Sequence, residues 1–264
     1  MLYSDRHPSW LHGINPSLKL GLMIGGIVAI LFIHNINVII PLVLALILML
    51  FLGSGQPISR VLLFLIPFLF VFVSTGASMI MFGKGETLWW QWGPVIISRE
   101  SFFRGMHVGF RAFSFGLIGL LFALTTRPVL LFYSMMQQLK LPPRYAYSFM
   151  ASLRMLPLML EEFKTLKQAY QVRGILLMKS WSGLMEGIRL YAIPLLAQSI
   201  RRAQRIAVAM EARRFNNSKN RTYYYRSGFS YADGLMVVCW ISIFTGAWLI
   251  GSWWPMFTIT DVRF

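Results

Sequence analysis

The sequence predicts an all-α polytopic membrane protein, with about five transmembrane helices and a basic cytoplasmic domain built on two long amphipathic helices. Three observations lead to this fold class. Of the 264 residues, 56% are hydrophobic, and the mean hydropathy is +0.60, which is too apolar for a soluble domain of this size. Several apolar runs approach the length of a membrane span, and most basic residues are concentrated in one block.

Five apolar runs approach the roughly 20 residues that a helix needs to cross the hydrocarbon core. The first two are short and are separated by His34-Asn35-Ile36-Asn37, which predicts a tight hairpin between two spans. The third is the clearest span, because it has 22 residues and carries no charge. The predicted spans are Leu18–Ile33, Val38–Leu52, Val61–Phe82, Phe102–Thr125 and Leu235–Phe257.

The segment from Arg127 to Arg226 holds 17 of the 25 basic residues and only four acids, a net charge of +13. In a membrane protein such a block marks the cytoplasmic side. No nucleic-acid motif accompanies it, so we expect no nucleic-acid partner. The predicted organisation is a transmembrane part (1–126) with the N-terminus inside, a cytoplasmic domain (127–226) and a last span (235–257).

Prolines and threonines divide the basic segment into helices. Thr125-Thr126-Arg127-Pro128 is a helix start, since Thr is a good N-cap and Pro suits the first turn. The short helix that follows should stop at Leu141-Pro142-Pro143. Pro157 and Pro194 should each kink or begin a helix.

Two apolar stripes at helical spacing follow these last two prolines, and each ends in arginine. Such stripes are typical of amphipathic helices. Gln198, Arg201, Arg202 and Arg205 are expected on the other faces of the second helix, which is also rich in alanine. The stripes are Met155, Met159, Phe163, Leu166, Tyr170, Arg173 and Leu196, Ile200, Ala203, Ala207, Met210, Arg214, with Arg213 one position round.

Periodicity leaves two interpretations of these helices open. They can lie on the anionic inner leaflet, where each Lys or Arg contributes about 1 kcal/mol of attraction. They can instead dock into grooves of a partner protein, with a planar guanidinium at the helix end binding acids or carbonyls.

Several short motifs resemble a known family, the transmembrane T component of energy-coupling factor (ECF) transporters. Asn15-Pro16-Ser17-Leu18-Lys19-Leu20 is similar to that family's N-terminal (Asp/Asn)-Pro-x-x-Lys signature. The resemblance covers nearly the whole chain and is strongest from Thr125 to Phe215. The other similar segments are Thr125-Thr126-Arg127-Pro128, Leu139 to Arg144, Arg154 to Leu158, Gln168 to Gly174, and Arg201 to Arg213.

The resemblance implies the energy-coupling subunit of an ABC-type importer in a prokaryotic cell membrane. Two cytosolic ABC ATPases would bind the two coupling helices, and a separate S component would bind a vitamin, vitamin precursor or metal ion. The implied subunit is neither an enzyme nor dependent on a cofactor. The substrate is not specified by this chain, because the family places recognition in the S component.

The family's two docking motifs are Ala-Arg-Gly. The resemblance therefore implies ATPase docking at Val172-Arg173-Gly174 and at Ala212-Arg213-Arg214. Val172 and Arg214 depart from the motif, and the departure at Arg214 concerns how the second helix ends. Ala203 and Ala207, which would let another helix cross closely, are further candidates for the S-component interface.

A basic face within the fourth predicted span carries Arg104, His107 and Arg111. An arginine at mid-bilayer costs roughly 2.5–3.5 kcal/mol on insertion scales, so these side chains should face protein or water. Arg111 is thus a candidate for the S-component interface. The alternative is a stripe whose long side chains reach the membrane interface.

Other site chemistries find little support in the sequence. The histidines are scattered and no cluster has metal-ligand spacing. No Gly-rich phosphate loop is present, so ATP should bind partner chains. Glu161 is expected to pair with Lys164 on a solvated helix face, rather than to form a catalytic acid–base pair with Glu162.

Two other classes of protein remain as alternatives. A conventional ABC importer permease would carry a Glu-Ala-Ala loop followed by Gly and Ile-x-Leu-Pro, a pattern that does not follow Glu211-Ala212-Arg213. An ATP-independent polytopic enzyme or channel would need convergent acids or histidines inside its spans. Lys19, near one end, is the only charged residue inside the first three predicted spans, and Arg60 lies just before the third.

Overall fold

The computed structural model describes residues 9–83, 85, 87–92, 95–175, 181–215, 222–225, 227–255 and 257. This part of the chain forms eight α-helices, a two-stranded hairpin and a short 3-10 turn at Trp10–Gly13. The helices are α1 (Pro16–Phe32), α2 (Ile36–Gly53), α3 (Ile58–Phe82), α4 (Arg99–Thr125), α5 (Pro128–Gln138), α6 (Pro143–Val172), α7 (Trp181–Ala212) and α8 (Tyr231–Trp253).

The chain divides into two compact units. The first, here called the membrane unit, comprises Met1–Ser134 and Ser227–Phe264. The second, here called the coupling unit, is Met135–Arg226 and contains α6 and α7.

The helical, membrane-spanning fold class predicted from the sequence is confirmed. Among the described residues, α2, α3, α4 and α8 are long and apolar enough to cross a bilayer. The apolar helix α1 has 17 residues and is about 25 Å long, a few ångströms less than the roughly 30 Å hydrocarbon core. The short connection predicted between the first two spans is present, since α1 ends at Phe32 and α2 begins at Ile36. The prediction of a tight hairpin was wrong, because α1 packs mainly on α4 rather than on α2.

The segment between α3 and α4 forms an antiparallel hairpin that the sequence analysis did not predict. Strand β1 (Leu88–Trp92) pairs with β2 (Val95–Ser98). Aromatic and β-branched residues favour such strands, and the segment is short enough to be taken for an interfacial loop. Ser98 then begins α4, because its side chain accepts a hydrogen bond from the Ser101 backbone N–H in a capping box.

Asn15 joins the start of α1 to two other segments of the membrane unit. Its Oδ1 accepts hydrogen bonds from Ser17 N (3.1 Å) and from Ser134 Oγ on α5 (2.5 Å). Its backbone N–H donates to Asp233 Oδ1 at the start of α8, at 2.7 Å. Pro16 occupies the first turn, where its missing N–H costs nothing. The Asn-Pro part of the N-terminal signature is therefore a helix cap tied to α5 and α8.

Helices α1 and α4 satisfy each other's C-terminal carbonyl groups. Lys19, in the first turn of α1, is only 4% exposed, and its Nζ donates to the carbonyl of Thr125, the last residue of α4, at 3.0 Å. In return, Arg111 Nη2 donates to the carbonyl of Ile33, the C-cap of α1, at 2.6 Å. The last carbonyls of a helix lack partners within the helix, and an unpaired one is costly in an apolar medium.

Close packing of α3 on α4 depends on small residues. A Cβ at Gly105 would lie 2.8 Å from the carbonyl oxygen of Gly76, and one at Gly109 would lie 3.1 Å from that of Phe72. Glycines four residues apart lie on one face of a helix and let two backbones approach closely in a membrane. The apolar centre of the unit lies around α2, whose buried residues pack with those of α4 and α8.

The two amphipathic helices are longer than their stripes predicted. Pro143 begins α6 and Trp181 begins α7, so Pro157 and Pro194 lie inside helices. A proline in a helix removes one backbone donor, and both helices continue past it. The stop expected at Leu141-Pro142-Pro143 is confirmed, since α5 ends at Gln138 and Pro142 is the N-cap of α6.

Replacing Lys19 by methionine should destabilise the membrane unit by about 1–3 kcal/mol, because the Thr125 carbonyl loses its donor in an apolar setting. The buried Asp233, which attracts the Lys19 ammonium electrostatically, would also lose its counter-charge. Thermal unfolding in detergent, followed by tryptophan fluorescence, measures the loss. Arg60→Met, at an exposed position of α3, is the control. Equal stability of the two variants would contradict the capping role of Lys19.

Candidate functional site

Helices α6 and α7 cross in antiparallel directions within the coupling unit. Near the C-terminal end of α6, the Tyr170 hydroxyl donates to the carbonyl of Leu190 at 3.2 Å. The Tyr191 ring packs on Phe163 and Tyr170, with ring centroids 5.1 and 5.6 Å apart. Near the other end of α6, Tyr147 packs edge-on against Phe215, at 5.4 Å between centroids. The C-terminal part of α6 thus contacts the N-terminal half of α7, and the N-terminal part of α6 contacts the residue that follows the C-terminal end of α7.

A single carboxylate links the two helices between these aromatic contacts. Glu162 on α6 forms an ion pair with Arg202 on α7, and its Oε1 also accepts a hydrogen bond from Gln198 Nε2 at 2.9 Å. The expectation that Gln198 and Arg202 lie on a face away from the apolar contacts was wrong for these two residues, and Glu162 does not lie on a fully solvated face. Gln198 and Arg202 lie within one helical turn of the contact stripe, and at the point where α7 crosses α6 their side chains reach Glu162.

An apolar groove of about 490 Å³ separates α6 and α7 between the Glu162 contact and the Tyr147–Phe215 contact. Both predicted stripes supply its walls, so the stripes face each other rather than the same outer surface. Ala203 and Ala207 lie in this groove, where their small side chains leave space. The lining residues are Ser148, Ala151, Ser152, Met155, Leu156, Met159, Ser199, Ile200, Ala203, Ile206, Ala207 and Met210.

Helix α6 ends in a Schellman motif. Val172 is its last helical residue, and Arg173 is the C-cap. Gly174 has a φ of +72°, its N–H donates to the Gln171 carbonyl at 3.1 Å, and the next N–H, that of Ile175, donates to Tyr170 at 3.1 Å. This pair of bonds satisfies the last carbonyls of a helix without help from other segments.

Helix α7 ends in the same way. Its last helical residue is Ala212. The N–H of Arg214 donates to Glu211 at 2.8 Å, and that of Phe215 donates to Met210 at 2.9 Å. Arg214 has a φ of +52°, so it holds the left-handed conformation that Gly174 holds in α6. The departure of Arg214 from the family motif thus leaves the shape of the helix end unchanged.

The six residues that the resemblance assigns to docking therefore occupy matching positions at two helix ends. Val172 and Ala212 end the helices, Arg173 and Arg213 follow as C-cap positions, and Gly174 and Arg214 take the left-handed position. All six are exposed. A cation is favourable at a helix C-terminus, and an exposed guanidinium there is available for a carboxylate or a carbonyl of another chain.

The basic face of α4 lies in the membrane unit. His107 is buried, Arg104 is partly buried, and Arg111 caps α1 as described above. The expectation that these side chains turn toward protein is confirmed for Arg111, whose mid-helix charge has the Ile33 carbonyl as a partner. A role of Arg111, Ala203 and Ala207 in binding an S component stays a prediction.

Three polar residues central to this architecture were missed by the sequence reasoning. Glu162 was considered only as an acid–base partner of Glu161, and Ser134 and Asp233 were not considered. One signal was available, because Glu162 is one of four acids in a segment with 17 basic residues. Within the described residues no group of three or more His, Cys, Asp or Glu side chains is placed to hold a metal ion.

Arg214→Gly should stabilise the last turn of α7 by about 1 kcal/mol, because glycine adopts a positive φ without the cost that a Cβ imposes. Hydrogen exchange of the backbone amides at Arg214 and Phe215 measures this as a roughly fivefold slower exchange. Arg214→Ala is the matched control, since it removes the same charge and keeps the strained conformation. An equal gain from both variants would trace the effect to charge rather than to conformation.

Comparison with known proteins gives a consistent result over most of the chain. An energy-coupling factor transporter transmembrane protein of Listeria innocua is 27% identical over 239 residues, which cover 87% of this chain and 89% of that protein. The corresponding proteins of Brevibacillus brevis and Limosilactobacillus fermentum are 28% and 29% identical, over 93% and 89% of this chain and 94% and 91% of their own lengths.

The family model of CbiQ, described as a cobalt transport protein, matches residues 7–224. This range includes the Asn15 cap, Lys19, the crossing of α6 and α7, and both helix ends. Since the match covers well over half of the chain, the chain belongs to the CbiQ family, the family of energy-coupling factor T components that its motifs resemble.

Proposed function

We propose that this chain couples ATP hydrolysis on two partner ATPases to uptake of a vitamin, vitamin precursor or metal ion held by a separate S component. The observation that carries the proposal is the pair of matching helix ends at Arg173 and Arg213. Two equivalent ends suit two equivalent partners, as a pair of ABC ATPases would be. Because α6 and α7 are antiparallel, their C-terminal ends leave the crossing in opposite directions, so each end is available to a different ATPase.

The mechanism follows from this arrangement. When ATP draws the two ATPases together, each carries one helix end with it, and the two ends move relative to each other. The crossing converts that movement into a change of angle between α6 and α7. The groove lined by Ala203 and Ala207 then changes width, and a contact of the S component with this surface or with Arg111 would transmit the change to the bound substrate.

The chain itself contributes positions and movement rather than chemistry. Its sequence has no Gly-rich phosphate loop, so ATP is bound and hydrolysed on the partner chains. Substrate identity likewise resides in the S component, and the family description as a cobalt transport protein applies to the family rather than to this chain's cargo.

The orientation that this function needs is a cytoplasmic coupling unit in a prokaryotic inner membrane. In a Cys239→Ser background, which removes the single cysteine, a cysteine replacing Lys164 on α6 should react with membrane-impermeant maleimide only after the membrane is opened. A cysteine replacing Trp89 in β1, 59% exposed, should react in intact cells. The positive-inside rule gives this direction, and the reverse labelling pattern would invert the topology. Cysteines at Asn217 and Lys219, which the charge asymmetry also predicts to be accessible only from the cytoplasmic side, lie outside the described residues.

The docking role predicts a specific loss of ATPase binding. Removing one partner of a buried charged contact costs about 3–5 kcal/mol, so Arg173→Ala with Arg213→Ala should lower ATPase affinity by at least about 100-fold. Pull-down of the ATPases from detergent-solubilised membranes measures the loss, while insertion of the chain in the membrane stays normal.

The control for this experiment must keep the crossing intact. Arg201 and Arg202 would serve by sequence position, but Arg202 pairs with Glu162. Arg201→Ala with Arg205→Ala changes two exposed arginines of the same helix instead, and should cost only about 1 kcal/mol each through the anionic surface. If this pair weakens ATPase binding as much as the Arg173 and Arg213 pair, the basic segment is better described as a lipid-facing surface.

A further inference from the structure

The crossing of α6 and α7 depends on one partly buried carboxylate. The Glu162 side chain is 16% exposed and that of Arg202 is 25% exposed. Arg202 and Gln198 share Oε1, while Oε2 is buried without a hydrogen-bond partner in the described part of the chain. A carboxylate has about four acceptor sites, and in Glu162 one oxygen makes both of the side-chain contacts with α7. A contact through a single atom holds the helices together at that point without itself fixing the angle between them.

The position of this link along the two helices is symmetric with respect to the docking ends. Arg173 follows Glu162 by 11 residues, and Arg213 follows Arg202 by 11 residues. At 1.5 Å per residue, both arms are about 16 Å long. Equal arms on antiparallel helices convert equal displacements of the two ends into rotation about the link, with little sliding of one helix along the other.

The contacts on the two sides of the link differ in a way that permits rotation. On one side, Tyr191 packs on Phe163 through a tilted ring contact and on Tyr170 through an edge-to-face contact, and the Tyr170 hydroxyl donates to the Leu190 carbonyl. On the other side lies the open groove lined by Met159 and Ala203, which extends as far as the edge-on contact of Tyr147 with Phe215. Within the groove, rotation that brings Met159 and Ala203 together or apart meets no interlocked layer of side chains.

From these three observations we propose that Glu162, held by Arg202 and Gln198, is the pivot about which α6 and α7 rotate when the docked ATPases move. The inference rests on the function proposed above. Glu162 and Arg202 are positioning residues, because they act through the helix ends rather than by touching ATP or the transported substrate. The ion pair keeps the two helices in register, so force applied at Arg173 and Arg213 changes the groove and is not lost in slippage.

The experiment measures helix rotation directly, in the complex of this chain with its ATPases and S component in lipid nanodiscs. In the Cys239→Ser background, cysteines replace Met159 and Ala203, and the rate of disulfide formation is compared with and without MgATP. The native pivot should give a nucleotide-dependent rate. Glu162→Arg or Arg202→Glu places like charges at the crossing, and should abolish that dependence and lower ATP turnover by about tenfold.

Exchange of the two charges separates the pivot from a general structural role. The double variant Glu162→Arg with Arg202→Glu restores an ion pair of reversed polarity, and Gln198 can still serve it because an amide both donates and accepts. The double variant should recover nucleotide-dependent crosslinking. If the charge reversals prevent assembly, Glu162→Gln gives the same test, because glutamine keeps the shape of the side chain and removes its charge. Crosslinking in that variant should lose most of its dependence on nucleotide.

The matched control lies one residue away on each helix. Glu161→Arg and Arg201→Glu reverse the same charges at exposed positions, and should leave both crosslinking and ATP turnover unchanged. Native behaviour of the single reversals at 162 and 202, failure of the charge exchange to recover, or an equal effect of the control pair would each overturn the pivot.

Co-purification of the ATPases distinguishes failure of the pivot from failure of the proposed function. All Glu162 and Arg202 variants should retain the ATPases, since the helix ends are unchanged, and their loss would mean that the pair supports docking itself. Retention of the ATPases by the Arg173 and Arg213 double variant would instead refute the docking function, whatever the behaviour of the pivot variants.

Discussion

The fold depends on how helix ends are satisfied where water is scarce. The last carbonyls of a helix have no partner within the helix, and in an apolar medium each unpaired group is costly. In the membrane unit, Lys19 of α1 binds the end of α4, and Arg111 of α4 binds the end of α1. Each cation thereby gains a partner that offsets its own desolvation. The exchange fixes the relative depth of the two helices and lets α1 end about half-way along α4, where Arg111 lies.

In the coupling unit the same requirement is met locally, with a different consequence for function. The Schellman motifs of α6 and α7 satisfy the last carbonyls by backbone bonds alone, so the side chains of the arginines at these ends are not needed to bind those carbonyls. Arg173 and Arg213 remain exposed, whereas Arg111 is engaged inside the protein. A basic residue is therefore available to a partner where the carbonyls of the nearby helix end are satisfied by backbone hydrogen bonds. It becomes part of the fold where its side chain must satisfy them.

The N-terminal signature illustrates what a motif conveys and what it leaves out. The Asn-Pro pair predicts a capped helix start from local chemistry, and the structure has it at Asn15 and Pro16. The partners of that motif, Ser134, Thr125 and Asp233, lie 106 to 218 residues away along the chain, and no local pattern marks them. The same limit explains the misplacement of Arg202, since periodicity assigns a residue to a face of its own helix and cannot say which neighbour crosses that face.

The sequence by itself determined the membrane fold class, the short turn between the first two helices, the basic segment with its two amphipathic helices and the arginines at their ends. These features follow from hydropathy, charge and turn residues, which act over a few residues of chain. Only the tertiary structure decided that the apolar stripes face each other across a groove, that Glu162 joins α6 to α7, and that Arg111 and Lys19 close each other's helices. Those contacts join residues distant in sequence, and their energy comes from burial and pairing that exist only once the helices have packed.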